Sequence, residues 1–237
     1  MNVEGKKVLV FGGTSGIGLA ATRRLVDGGA QVIAISRNPD RARSDVPAGV
    51  ELRACDVRDR DALSALFAEC APFDVLVSAA TGGERARGPF LEMDLDGFRG
   101  SFDKLWGYTN CVRLGAEHLR PDGCIVLVTG TPAKRAKQGQ IALGAVGAAI
   151  ESFVRTVATE LAPRRINAVS PGVIDTPMFG PDTPERAVSV AQMTRAHAIA
   201  RAGRPEEIAL AVRFAIENDF VTGTTIEVDG GALLAGG

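Results

Sequence analysis

One glycine-rich segment near the start of the chain constrains the fold more than any other feature. It reads Gly12-Gly13-Thr14-Ser15-Gly16-Ile17-Gly18 and lies between the apolar run Lys7–Phe11 and an amphipathic stretch at 17–27. A strand, a tight turn and a helix in this order bring free backbone N–H groups and the positive end of a helix dipole to one place. Gly12 permits the turn, and Gly16 and Gly18 let the backbone approach a bound group closely. The segment therefore predicts a diphosphate site at the start of the first helix.

The rest of the chain alternates short apolar runs with amphipathic stretches. Strands are predicted at 7–11, 31–36, 50–54, 75–79, 125–129, 166–170 and 225–228, and helices at 17–27, 59–70, 96–119, 141–161 and 205–217. Val, Ile and Leu fill the strands nearly without alternation, as in a parallel sheet covered on both faces. We therefore predict an α/β fold: a Rossmann, doubly wound parallel sheet of about seven strands flanked by helices, in a single domain over 1–237. The segment at about 179–203 lacks a strand, and we expect it to be an insertion with one helix that forms a substrate lid over the carboxyl ends of the strands.

Composition and charge narrow the classes of function. The 237 residues carry a net charge of −1, which gives no general attraction to nucleic acid or to an anionic membrane. The longest apolar run, 141–150, is too short to span a bilayer. The four cysteines have no metal-like spacing, and we expect reduced thiols in a cytoplasmic protein without a metal site.

The end of the second predicted strand indicates which dinucleotide would bind. An NAD-selective fold has Asp or Glu about 20 residues after the glycines, whereas this chain has Ser36 and Arg37 there. A hydroxyl and a guanidinium suit a 2′-phosphate, so NADP(H) is favoured over NAD(H). The alternative for Arg37 is a solvated loop charge. The contacts predicted from the residues alone are Gly12, Thr14, Ser15, Gly16, Ile17, Gly18, Ser36, Arg37, Asp56 and Val57.

Several motifs, in order along essentially the whole chain, resemble the short-chain dehydrogenase/reductase family. The glycine segment is similar to its glycine motif, and 167–172 with Thr176 is similar to the segment that cradles the nicotinamide. The segments 203–209 and 223–231 look like its C-terminal signatures. The resemblance implies a homodimer or homotetramer formed through 96–119 and 141–161. It also implies cofactor contacts at Ala79, Ala80, Thr129, Pro171, Gly172, Ile174 and Thr176.

The catalytic positions of that family are occupied differently here. The family usually has Ser, Tyr and Lys, with the Tyr as proton donor, and an Asn in the preceding helix. The matching positions are Gly130, Leu143, Gly147 and Lys104. Leu cannot transfer a proton, so the resemblance implies an atypical member.

Other residues are candidates for the missing catalytic groups. Lys104 could place its ammonium in the space that Gly147 leaves and act as the acid, or it could pair with Asp103 or reach solvent. Thr129 and Thr131 could hydrogen-bond a substrate carbonyl, or serve as turn hydroxyls.

For two further candidates, we favour a role outside catalysis. Tyr108, on the same helical face as Lys104, is a possible stand-in acid, although a core or interface aromatic is the commoner role. His197 in the predicted lid could touch substrate, although an exposed histidine without a catalytic role is the commoner case.

The loop residues Lys134, Arg135 and Lys137 could receive an anionic or oxygen-rich substrate, or form a solvated charge run.

Our first hypothesis is an NADP(H)-dependent oxidoreductase for a small carbonyl, enone, imine or quinone, with a non-standard proton donor. The alternatives are an inactive NADP(H)-binding pseudoenzyme and a non-redox enzyme on the same scaffold.

Overall fold

The computed structural model describes residues 1–42, 44–81 and 85–235. Its centre is a seven-stranded parallel sheet with the order β3-β2-β1-β4-β5-β6-β7. The strands are β1 (Lys7–Phe11), β2 (Gln31–Ser36), β3 (Glu51–Ala54), β4 (Phe73–Ser78), β5 (Leu119–Val128), β6 (Arg165–Pro171) and β7 (Thr225–Val228). The strand order reverses between β1 and β4, which is the topological switch point where doubly wound folds bind ligands.

Helices cover both faces of the sheet. They are α1 (Gly16–Asp27), α2 (Arg60–Cys70), α3 (Leu95–Ser101), α4 (Asp103–Gly115), α5 (Ile141–Leu161), α6 (Pro184–Thr194) and α7 (Pro205–Glu217). One apolar core lies between the sheet and α2, α4 and α5, and the other lies between the sheet and α1 and α7. The near-continuous apolar strands fill both cores, and the predicted Rossmann fold is confirmed.

The prediction of one helix over 96–119 is wrong, because the chain forms α3 and α4 there and already enters β5 at Leu119. Gly97 and Gly100 weaken α3 as a helix, and its last turn tightens where the Phe102 N–H donates to the Arg99 carbonyl oxygen (3.0 Å). The Ser101 hydroxyl also receives the Ala86 N–H (2.8 Å), which ties the break to the preceding loop.

Helix α5 is long and apolar enough to cross a membrane by length and composition. Its inner face explains this composition, because Ala142, Val146, Ile150 and Val154 are buried against the sheet. All four cysteines are buried free thiols. Among the described residues, no group of three potential metal ligands comes together.

Candidate active site

A cavity of about 840 Å³ opens at the carboxyl ends of the strands, around the switch point. Every residue predicted to contact the cofactor lines it. These residues are Gly12, Thr14, Ser15, Gly16, Ile17, Gly18, Ser36, Arg37, Asp56, Val57, Ala79, Ala80, Thr129, Pro171, Gly172, Ile174 and Thr176. The fold thus brings residues that are up to 164 positions apart in the sequence, Gly12 and Thr176, into the lining of one cavity.

The start of α1 has the geometry of an anion cradle. Ser15 precedes the helix without a side-chain cap, and the first turn contains no acidic residue, so its N–H groups and dipole face the cavity uncompensated. Gly18 lies so close to the turn that a Cβ there would be 2.0 Å from the Gly12 carbonyl oxygen. Gly12 itself has a φ of +76°, which favours glycine. The glycines are therefore required by the turn and by the helix approach.

The end of β2 fits a 2′-phosphate. The Ser36 Oγ is buried and has no hydrogen-bond partner among the described residues, so it can form a hydrogen bond with a ligand. Arg37 follows it, exposed at the cavity rim. The neighbouring carboxylate of Asp56 accepts hydrogen bonds from Arg58, the shortest from Nη2 at 2.8 Å, and these contacts lower its pKa. This acidic group is thus already neutralised by a cation outside the cavity wall.

Lys104 extends from α4 into the cavity wall beside the end of β5. Its Nζ donates to the Thr129 carbonyl oxygen (3.3 Å) and lies 5.5 Å from the centre of the Tyr108 ring. Burial, and to a lesser extent the nearby Arg85 guanidinium, lower the pKa of the ammonium to about 7. The expected alternative pairing with Asp103 does not form, because the Asp103 carboxylate instead binds Arg58 (3.1 Å).

The two threonines have different surroundings. The Thr129 hydroxyl is buried and donates to the Gly147 carbonyl oxygen (3.4 Å), so its proton is directed to α5. Thr131 is half-buried in the cavity wall, and its hydroxyl has no protein partner within the described part of the chain. Of the two, Thr131 is the one available to a ligand.

The structure rules against Tyr108 as a stand-in acid. Its side chain is fully buried in the core and does not line the cavity. The hydroxyl donates to the Val128 carbonyl oxygen (2.8 Å), and burial raises its pKa far above the usual range. The alternative role of a core aromatic is the one observed.

Two other expectations need correction. His197 is buried rather than exposed, at 7% accessibility, and it lines the cavity. Burial, followed by the charge of Arg135, lowers the pKa of its imidazole. Lys134 does not face the cavity, because it forms ion pairs with Glu227 and with Glu151 (3.6 Å). Of the three loop cations, Arg135 and Lys137 line the cavity.

Gly130, Leu143 and Gly147 all lie in the cavity wall. A Cβ on Gly147 would be 2.9 Å from the Cβ of Ala133, because the turn at Thr131–Ala133 packs directly against this position. A Cβ on Gly130 would meet nothing closer than 3.5 Å. There is room for a side chain at 130, but none at 147 unless the turn moves.

Among the charged cavity residues, sequence reasoning missed Arg85 and Arg87, in the loop after β4. Both follow a predicted strand at its carboxyl end, and this position was the available signal. The sequence of their loop has no apolar periodicity that would indicate which side chains point inward. Only the tertiary structure shows that Arg85 and Arg87 line the cavity.

The seven-stranded parallel sheet, the glycine cradle at its switch point and the site at the end of β2 define a nicotinamide-dinucleotide-binding oxidoreductase of the Rossmann type. The family model described as enoyl-(acyl carrier protein) reductase matches residues 12–232. The chain belongs to the short-chain dehydrogenase/reductase family.

Curated relatives and solved structures agree with this membership. Carbonyl reductase family member 4 from Danio rerio is 32% identical, and the match covers 95% of this chain and 97% of the relative. A 3-oxoacyl-[acyl-carrier-protein] reductase from Thermotoga maritima is also 32% identical, over 99% of this chain and all of the relative. A crystal structure of a small-chain dehydrogenase in complex with NADPH superposes with a TM-score of 0.86 at 30% identity, covering 98% of this chain and 100% of that one.

Proposed function

We propose that the protein is an NADP(H)-dependent oxidoreductase that reduces a small carbonyl, enone, imine or quinone, with Lys104 as the proton donor. The observation that carries this proposal is the half-buried Lys104 side chain in the cavity wall, which donates to the Thr129 carbonyl oxygen and whose pKa is lowered to about 7. An acid works best when its pKa is near the operating pH, so this lysine suits proton transfer near neutrality.

The cofactor half of the proposal rests on the fit of the residues to NADP(H). The first turn of α1 would hold the diphosphate, and Ser36 and Arg37 would hold the 2′-phosphate. Thr176, Pro171 and Gly172 would flank the nicotinamide, as the resemblance implies. When bound, NADP(H) supplies the hydride that the reaction requires. The NADPH complex of a relative supports this choice of cofactor.

The protein residues position and protonate the substrate. In our proposal the Lys104 ammonium and the Thr131 hydroxyl stabilise the developing negative charge on the substrate oxygen, and Lys104 then gives up its proton. Its remaining contact with the Thr129 carbonyl keeps the side chain at the cavity wall. A tyrosine is not needed when the substrate is already polarised.

In this proposal the usual catalytic residues are replaced at Gly130, Leu143 and Gly147. The closed space at 147 supports a rebuilt site, because the turn at Thr131–Ala133 occupies the room that a lysine would need. We also propose that 179–203, which contains α6, acts as a substrate lid on the single domain. Assembly would be a cytoplasmic homodimer or homotetramer through α4 and α5.

A second candidate function follows from the same replacements. With Leu143 and Gly147 at these positions, the protein would bind NADP(H) without redox chemistry, as a pseudoenzyme or as a non-redox enzyme.

The test separates the two functions. NADPH oxidation is followed at 340 nm with a panel of quinones, enones, diketones and imines, after NADPH binding has been verified by calorimetry. We expect turnover with part of the panel, and a loss of at least about 100-fold in kcat for Lys104→Met. Tyr108→Phe is the matched control and should retain kcat within about threefold, since its hydroxyl faces the core. Binding without turnover across the panel would favour the second candidate, and turnover that survives Lys104→Met would refute the acid assignment.

A further inference from the structure

Besides Arg37, the cavity wall carries several side chains that are or can become cationic. The side chains that carry or can carry a positive charge there are Arg85, Arg87, Lys104, Arg135, Lys137 and His197. Asp56 is the one carboxylate among the lining residues of the described chain, and Arg58 already neutralises it. No other carboxylate of the described residues lines the cavity near Lys104.

Among the described residues, none of these cations forms an ion pair with a carboxylate. Across residues 1–42, 44–81 and 85–235, no carboxylate forms an ion pair with Arg85 or Arg135. The Arg85 Nη1 instead lies 3.1 Å from the Met178 sulfur, at the edge of the predicted lid. Several other arginines do form ion pairs, as Arg201 does with Glu207 at 2.6 Å. A half-buried guanidinium without an anion is unfavourable, so a ligand that carries one would be held firmly.

Several of these cations lie close enough to lower one another's pKa. The charge of Arg85 contributes to lowering the pKa of Lys104, and the charges of Arg135 and Lys137 contribute to lowering that of His197. Two sets of neighbouring cations therefore line the cavity: Arg85 with Lys104, and Arg135 and Lys137 with His197, where the Asp229 carboxylate partly offsets the positive charge. They are different residues from those that fit the phosphates of the dinucleotide, which are the start of α1 and the Ser36–Arg37 pair.

The cavity also has apolar lining residues. They are Leu143 from α5, Met178 and Phe179 from the segment after β6, and Met193 from α6, and Met178 contacts Arg85 directly. A ligand that satisfies both features has an apolar body and an anionic group.

We propose that the reducible substrate carries an anionic group, a carboxylate, sulfonate or phosphate, bound by Arg85 and Arg135, while its apolar body packs against Leu143, Met178 and Met193. This inference rests on the proposed function, because it names the substrate class of that same site. Lys104 would then protonate a substrate whose orientation the two guanidinium groups fix.

A binding experiment tests the subsite without requiring turnover. The protein is saturated with NADPH and titrated calorimetrically with 2-naphthoate and with 2-naphthamide, which have the same ring system and differ in charge. We expect the wild type to bind naphthoate at least about tenfold more tightly. The preference should disappear in Arg85→Gln and in Arg135→Gln, which lie on different loops, so that misfolding of one variant leaves the other as a test. Arg24→Gln removes one charge on the exposed part of α1 and should keep the preference.

The outcomes separate this inference from the proposed function. An equal affinity for the two probes, or a preference that survives both substitutions, overturns the anion subsite. A loss of NADPH affinity in Arg85→Gln and Arg135→Gln that matches the loss of naphthoate affinity also overturns it, because these cations would then serve the cofactor. A turnover panel is run in parallel with carboxylate and methyl ester forms of each aldehyde, enone and quinone. If naphthoate is preferred but no member of the panel is reduced, the subsite stands and the oxidoreductase proposal fails.

Discussion

Replacing Arg37 tests the choice of dinucleotide directly. The substitution Arg37→Gln keeps a polar side chain at the cavity rim but removes the charge that would face a 2′-phosphate. The glycine cradle and the start of α1 are untouched, so contacts with the diphosphate remain. The change should therefore act on NADPH and leave NADH almost unaffected.

The expected magnitude follows from the exposure of the side chain. A hydrogen bond to a charged group contributes about 1.5–3 kcal/mol. Arg37 is exposed, so the low end applies, about 1.5 kcal/mol, which corresponds to roughly a tenfold rise in the Kd for NADPH. Ser36→Ala should weaken NADPH by a further, smaller factor without destabilising the free protein, because the buried Ser36 Oγ has no partner to lose among the described residues.

The assay is isothermal titration calorimetry with NADPH and with NADH on the wild type and on each variant. Arg41→Gln is the matched control, since it removes an exposed charge four residues further along without lining the cavity. The reasoning is refuted if Arg37→Gln changes the NADPH Kd by less than about twofold, or if NADH weakens as much as NADPH.

Three further expectations concern Lys104, Gly147 and Tyr108. If protonated Lys104 is the acid, kcat/KM is highest below its pKa of about 7 and falls roughly tenfold per unit above it; a flat pH profile contradicts this. Gly147→Ala places a Cβ 2.9 Å from that of Ala133 and should lower the free energy of unfolding in urea by about 1–3 kcal/mol, whereas Gly130→Ser should be nearly neutral; equal values for both would show that the turn is free to move. Tyr108→Phe leaves a buried carbonyl without its donor and should cost about 1–2 kcal/mol of stability with unchanged NADPH affinity, measured by urea unfolding and calorimetry; weaker NADPH binding would place the hydroxyl at the site after all.

The fold was predictable because its signals are local. The continuous apolar strands, the helical periods between them and the glycine segment each depend on residues within a few positions of one another. The break between α3 and α4 was not predicted, since the ties that set it, such as the Ala86 N–H on the Ser101 hydroxyl, come from outside the helix.

The cofactor wall could be assembled from the sequence because parallel strands end at one edge of the sheet. Each predicted contact follows a strand, so the topology alone brings them together. The catalytic half could not be assembled in this way, because side-chain direction and burial decide it.

By itself, the sequence determined the Rossmann sheet, the glycine turn at the start of α1 and the positions at the strand ends that line the cavity, because strand order and glycine geometry follow from local patterns. Only the tertiary structure decided which polar side chains reach the cavity. In the structure Tyr108 is buried in the core, Lys134 pairs with Glu227, and neither Lys104 nor Arg85 forms an ion pair with a carboxylate of the described residues. Those outcomes depend on how the helices and loops pack around the sheet, since burial and the charges of distant residues are set by that packing.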